Sequence, residues 1–348
     1  MKAKIISLFN HKGGVSKTTT TFNLGWMMAN KGYKTIIVDS DPQCNLTGMF
    51  LGMRDSKRLD EFYNSSNTVN NLRDGLAPAF ESRPSLIEPV ECFPMQSNQN
   101  LLLLAGHIGI SEYDVTLGIA QALSESIVTL KNLPGSINYL LEKTAERYKA
   151  QIILVDMSPS LGSINQNILM TSDYFIIPMA PDYFSVMAIE SLSRVLPKWK
   201  NWSNKIKELE VIKQADYPFP DKNPKFLGYI IQRYRPRSGS PSQAFEKWIV
   251  ALKDGAKQTL VPALKKSDLF LSKARYAKAN CIPENPLLQM SDFNSLIALS
   301  QEHSKPIFDL SDYEIGQGGQ VLENTKKSMR DFKQLFSDAA DKIIKMIL

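Results

Sequence analysis

Lys12-Gly13-Gly14-Val15-Ser16-Lys17-Thr18 is the stretch that decides the fold. A short apolar run, Lys4-Ile5-Ile6-Ser7-Leu8-Phe9, precedes it. Thr18 to Asn30 follows, with Phe22, Trp26, Met27 and Ala29 at helical spacing. Strand, glycine loop and helix in that order predict a phosphate cradle, because successive backbone N–H groups at a helix start converge on an anion. Glycine is needed where a Cβ would meet the phosphates or where φ is positive. Lys17 is placed to reach the phosphates and the Thr18 hydroxyl to bind Mg²⁺. The common pattern GxxxxGK[ST] has glycine where this chain has His11 and Ser16. The loop is therefore a deviant form, KGGxxK[ST], with Lys12 at its start.

Outward from the loop, Lys31-Gly32 closes the helix and Thr35-Ile36-Ile37-Val38-Asp39 reads as the next strand. Further apolar strands are expected at Gln151 to Asp156, Tyr174 to Pro178 and Phe226 to Ile231. Continuous apolar strands alternating with helices predict an α/β, doubly wound, mostly parallel sheet with helices on both faces. One P-loop domain over residues 1–348 is expected. Its elaborations fall near residues 55–100 and 209–225, and a C-terminal helix covers about residues 320–348.

Two acidic sites suit the loop. The second strand ends Asp39-Ser40-Asp41-Pro42-Gln43. If the strand persists, Asp39 and Asp41 share a face; if it breaks at Ser40, they diverge, one toward a metal and one toward water. The bland alternative is a capped turn with Pro42 opening a helix. Asp156 ends the strand Ile152 to Val155, the place from which an acid holds Mg²⁺ directly or through water. Ser158-Pro159-Ser160-Leu161-Gly162 after it reads as a nucleotide-sensing loop.

Composition excludes other classes. No apolar run approaches the roughly 20 residues a membrane span needs, and the N-terminus lacks a signal-peptide pattern. A cytosolic protein is expected. Cys44, Cys92 and Cys281, like His11, His107 and His303, are too scattered for a disulfide framework or a metal cage. The net charge is +6 but uneven: Ser191 to Asn280 has 19 Lys/Arg against 7 Asp/Glu, the rest 22 against 28. Such asymmetry predicts an anionic partner for one face.

The three motifs together resemble the ParA/Soj/MinD family of deviant Walker ATPases, and the ParA branch most closely. The likeness rests on Lys12 to Thr19, Val38 to Gln43 and Ile153 to Gly162. It continues through Ile176-Ile177-Pro178 and Pro181, then weakly to Lys305-Pro306-Ile307. The resemblance implies ATP and Mg²⁺ as cofactors and slow, partner-stimulated hydrolysis. Lys12, Gly13, Gly14, Val15, Ser16, Lys17, Thr18 and Thr19 would cradle the nucleotide. Lys12 would reach across a dimer to the partner's phosphates, Lys17 would act in cis, and Asp41 would orient water. Thr18, Asp39 and Asp156 would organise the metal shell. Gln232 stands where the family commonly has an asparagine contacting adenine.

The family implies an ATP-dependent homodimer, non-specific DNA as partner, nucleoid association, and a ParB-like or other adaptor on the cargo. Arg233, Arg235 and Arg237 fall beside a family DNA-contact region. Lys265, Lys266, Lys273, Arg275 and Lys278, with Tyr276 among them, form a second basic cluster. Phe293-Asn294-Ser295-Leu296 stands where relatives carry basic residues, so the second cluster is expected to replace those contacts. A MinD-like membrane cycle is the alternative, because Ser328 to Leu348 is amphipathic. Asp331, Asp338 and Asp341 weaken its attraction to anionic lipid, so membrane association is not expected. The cysteines do not match an iron–sulfur relative, and Lys17, Thr18, Asp41 and Asp156 argue against an inert scaffold. No helix-turn-helix precedes the loop, so operator binding is not expected.

Overall fold

The computed structural model describes residues 2–52, 63, 69–123, 130–234, 236–237, 240–241, 243–293 and 295–348. Strands are β1 (Lys4–Leu8), β2 (Thr35–Asp39), β3 (Phe93–Met95), β4 (Asn98–Leu104), β5 (Ile152–Asp156), β6 (Tyr174–Met179), β7 (Lys225–Tyr234) and β10 (Leu288–Ser291), with a small hairpin of β8 (Pro236–Arg237) and β9 (Ser240–Pro241). The principal helices are α1 (Lys17–Asn30), α2 (Asn45–Leu51), α3 (Leu72–Phe80), α4 (Glu112–Leu123), α5 (Leu133–Tyr148), α6 (Ser163–Thr171) and α7 (Tyr183–Glu208). After β9 come α8 (Gln243–Gly255), α9 (Val261–Lys266), α10 (Lys273–Lys278), α11 (Leu296–His303) and α12 (Gly319–Ile347).

Eight strands form one sheet in the order β10-β7-β6-β1-β5-β2-β4-β3. All neighbours are parallel except β3 with β4. Strand side chains alternate between two apolar layers: Ile153 and Val155 face one, Ile152 and Leu154 the other. Both faces are covered by helices, which is why the strands read as unbroken apolar runs. β1 lies between β5 and β6, so the loop after it opens into the crevice at the carboxyl ends of the strands.

Part of the stretch expected as elaboration is sheet. β4 pairs in parallel with β2, Leu101 to Leu104 against Thr35 to Val38. The polar Asn98-Gln99-Asn100 at its start lies at the rim and hides a core strand from composition alone. The segment near residues 209–225 meets the first elaboration at Tyr217, whose hydroxyl accepts from the Ile87 amide at 2.9 Å. Residues 53–62 and 64–68 of the first elaboration lie outside the described residues.

The C-terminal helix α12 spends its apolar face on the sheet. Met329, Phe332, Phe336, Ala339, Ile343 and Ile347 are buried, and Phe336 packs near Phe293 and Phe308. Lys31, which follows α1, pairs with Asp341 at 2.8 Å. Among the described residues no helix is long and apolar enough to cross a membrane. Truncating the buried ring in Phe336→Ala is expected to cost about 3–5 kcal/mol, measured as the denaturation midpoint. A near-neutral effect would place α12 off the core.

Candidate nucleotide site

The loop between β1 and α1 is held from below by Asn10. This fully buried side chain donates to the Pro178 carbonyl at 2.8 Å and accepts from the Lys12 amide at 3.0 Å. Gly14 has φ 71°, in the left-handed region that favours glycine. Ser16 also lies in the left-handed region, at φ 55°, a conformation that costs an L residue roughly 1 kcal/mol. Gly13 is exposed, and a Cβ there would meet nothing of the protein nearer than Pro159 at 3.8 Å. Protein packing therefore does not demand glycine at 13, and the space beside it is open. α1 begins with no side-chain cap and no acid in its first turn, leaving its N–H groups to an anion.

Lys17 is buried, yet among the described residues its ammonium donates only to the carbonyls of Asn10 (3.1 Å) and Lys12 (3.2 Å). Desolvation lowers its pKa, while the charges of Asp156 and Asp41 act in the opposite direction. A buried ammonium with carbonyl partners alone is stabilised when phosphate oxygens arrive.

Asp39 and Asp156 are register partners on β2 and β5. Both carboxylate oxygens of Asp156 are buried without a regular hydrogen-bond partner. The neighbouring Thr18 hydroxyl still favours its charged form. Burial, then the Asp39 charge, raises the Asp156 pKa. Unpartnered and facing Thr18, Asp156 fits one ligand of a divalent cation. Among the described residues no three acidic, His or Cys side chains converge to hold a metal alone. A cation here would therefore take phosphate oxygens as well, as Mg²⁺ commonly does.

Of the two courses open to the chain after β2, the structure takes the break at Ser40, and Asp39, Asp41 and Gln232 take partners that the sequence did not announce. β2 ends at Asp39 and the two acids diverge. Asp39 is not open to a metal: Oδ2 accepts from the Thr47 amide (2.8 Å) and hydroxyl (2.7 Å), and Oδ1 from the Asp41 amide (3.2 Å). Burial still raises its pKa to about 6. Asp41 is half-buried and accepts from the Gln43 amide at 3.0 Å, so it serves the turn while standing near Lys17. Gln232 is fully buried, and its carboxamide binds Val15 of the loop and Thr20 of α1.

Lys12 is used differently from Lys17. Its ammonium pairs with the Asp182 carboxylate, accepted at both oxygens, and donates to Ser185 Oγ at 3.1 Å. Asp182 also caps α7 through the Ser185 amide at 2.9 Å. The exposed Phe184 ring lies 5.8 Å from the same ammonium. Asp182 and Asn10 were missed in the sequence, although Asp182-Tyr183-Phe184-Ser185 has the form of a helix cap. In the sensing loop, Asn165 donates to the Ser158 and Ser160 carbonyls at 2.8 and 2.9 Å. Asp114 of α4 accepts from the Ile164 amide at 2.8 Å, tying that helix to the first turn of α6 that follows the loop.

The basic cluster is only partly available. Lys265 pairs with Glu284 at 3.1 Å. Arg275 donates to the Met346 carbonyl at 2.7 Å, and Tyr276 is buried with its hydroxyl on the Phe226 carbonyl. Lys266, Lys273 and Lys278 are exposed and have no ion pair among the described residues. Tyr276 and Phe226 place this cluster near the start of β7, a strand length from Gln232 at its other end. Arg235 and Asn294 lie outside the described residues, and Arg233 and Arg237 are described through their backbone in β7 and β8.

A family model described as an AAA domain matches residues 3–209. An uncharacterized protein of Methanocaldococcus jannaschii is 33% identical over 70% of this chain and 78% of its own length. The sporulation initiation inhibitor protein Soj of Bacillus subtilis is 28% identical over 56% of this chain and 63% of its own. The chain belongs to the AAA-domain family of ParA- and Soj-like P-loop proteins. Its ParA-like fold is also seen in the solved structure of pNOB8 ParA bound to nonspecific DNA. That structure has TM-score 0.54 and 19% identity, covering 99% of this chain and 98% of that one.

For this ParA/Soj-like chain, the raised Asp156 pKa gives a signed prediction. Its folded value lies above its unfolded value of 3.8, so the folded state holds the proton more tightly. This carboxyl therefore weakens stability progressively as pH rises above about 4. Asp156→Asn should raise the melting temperature of the ligand-free protein by about 2–4 °C near pH 7–8. The gain should be smaller near pH 5, and the variant should lose Mg²⁺-dependent nucleotide binding. A lower melting temperature at pH 8 would contradict this account.

Proposed function

We propose that this chain is an ATPase switch that dimerises on Mg²⁺–ATP, binds DNA without sequence preference, and drives partition or positioning of a cargo. The observation that carries the reading is a buried Lys17 held by carbonyls, close to a buried Asp156 that has no regular hydrogen bond among the described residues and stands beside Thr18, at an uncapped helix start. Phosphate and Mg²⁺ complete both groups together. Hydrolysis would then rest on positioning and charge neutralisation, with Asp41 beside the attacking water.

Lys12 supports the dimer. It stands outside its own phosphate cradle, on Asp182, amid exposed Tyr183, Phe184 and Met187. A cation on an apolar rim at the mouth of the site suits contact with a second copy whose nucleotide it meets. An adaptor on the cargo that stimulates hydrolysis belongs to the same reading. The buried apolar face of α12 weighs against a MinD-like membrane cycle.

Non-specific DNA binding needs clustered free cations facing phosphates. Lys266, Lys273 and Lys278 supply them; Lys265 and Arg275 are engaged within the fold. With a slowly hydrolysed ATP analogue, the protein should retard random-sequence duplex DNA, and with ADP it should not. Retardation indifferent to nucleotide would contradict the switch. Replacing Lys266, Lys273 and Lys278 together by alanine should lower the slope of log K against log salt by about 0.9 for each phosphate no longer neutralised. An unchanged slope would move the DNA face elsewhere.

A further inference from the structure

Ser16 occupies a left-handed conformation, φ 55° and ψ 36°, in the loop that must present its amides to phosphate. That conformation is disfavoured for a residue with a Cβ, so contacts around it must hold the loop in shape. They trace to the end of β7. The Gln232 carboxamide donates from Nε2 to the Val15 carbonyl at 2.5 Å and to Thr20 Oγ1 at 3.0 Å. The Thr20 hydroxyl has one proton, and the Ser16 carbonyl lies 2.8 Å away to accept it. The same hydroxyl is 3.1 Å from Gln232 Oε1, but with its proton on Ser16 it acts as acceptor from Nε2. The Thr20 amide adds a second bond to the Ser16 carbonyl at 3.0 Å.

The Val15 and Ser16 carbonyls belong to the two peptide planes on either side of the Ser16 Cα. Their orientations set its φ and ψ. In a trans peptide the N–H points opposite to the carbonyl. Holding both carbonyls on the Gln232 and Thr20 side therefore turns the Ser16 and Lys17 amides away from it, into the cradle. We propose that Gln232 and Thr20 form a brace that lets a non-glycine residue stand at position 16 and fixes the phosphate-binding amides. Gln232 is then a positioning residue for the loop, not a reader of the base. This inference rests on the loop being the nucleotide site.

A double-mutant cycle tests it. Gln232→Leu, Ser16→Gly and the double variant are compared by chemical denaturation without ligand. Their affinity for a fluorescent N-methylanthraniloyl ATP with Mg²⁺ is then measured where all are folded. Gln232→Leu should weaken that affinity about tenfold, the weight of one or two hydrogen bonds. In the Ser16→Gly background the loss should shrink to about threefold or less, because glycine takes positive φ without help. Ser16→Gly should also raise the denaturation midpoint more in the Gln232→Leu chain than in the wild type. Equal losses in both backgrounds would overturn the brace. So would a lower midpoint with unchanged affinity, which would leave Gln232 a packing residue only. Should Gln232→Leu fail to fold, Thr20→Val, which keeps shape and removes the hydroxyl relay, carries the same test with the same signs. Absence of ATP binding by the wild type would sink the nucleotide-site reading, while the denaturation cycle would still decide the brace.

Discussion

A buried ammonium with no direct ion pair among the described residues organises this molecule. Lys17 is nearly removed from water and meets only two carbonyls of its own loop. Asp156 is buried as well, and among the described residues neither of its oxygens has a regular hydrogen-bond partner, while the Thr18 hydroxyl and the Lys17 charge favour its ionised form. Each group is costly where it stands, and an isolated domain would gain by replacing either. The sheet keeps them there because β1, β5 and β2 are adjacent, parallel and in fixed register. Leu8 lies opposite Asp156, and Asp39 beside it. The left-handed Ser16 lies in the same loop, and strain of this kind clusters at ligand sites.

Much of this was legible in the sequence because it is local. Lys12 to Thr18 carries its chemistry in seven consecutive residues, and Ile152 to Asp156 announces a buried strand with an acid at its end. What escaped depends on partners distant in the chain. Gln232 lies more than two hundred residues from Val15, so nothing near it signals that its amide serves the loop. Asp39 looked open to a metal because Thr47, which satisfies it, comes from the following helix. β4 was concealed because its first three residues are polar and belong to the sheet rim.

The tail and the basic region show the limits of pattern. An apolar stripe along residues 328–348 suits a protein core and a lipid surface equally. Only the packing of Phe332 and Phe336 against Phe293 decides for the core. Likewise, charge counting treats Lys265, Arg275 and Lys273 as equivalent. In the fold the first is paired, the second holds the last turn of α12, and the third is exposed.

The two lysines of the loop thus face apart: Lys17 is buried on carbonyls of its own loop, and Lys12 pairs with Asp182 at the start of α7. The most direct test is the mass of the protein in solution by light scattering, ligand-free, with Mg²⁺–ADP, and with Mg²⁺ and a slowly hydrolysed ATP analogue. One chain's mass, 39.1 kDa, is expected in the first two conditions. Twice that mass is expected with the analogue, and a return to one chain when Lys12 is replaced by alanine. A single mass in all three conditions would contradict the ATP-closed dimer.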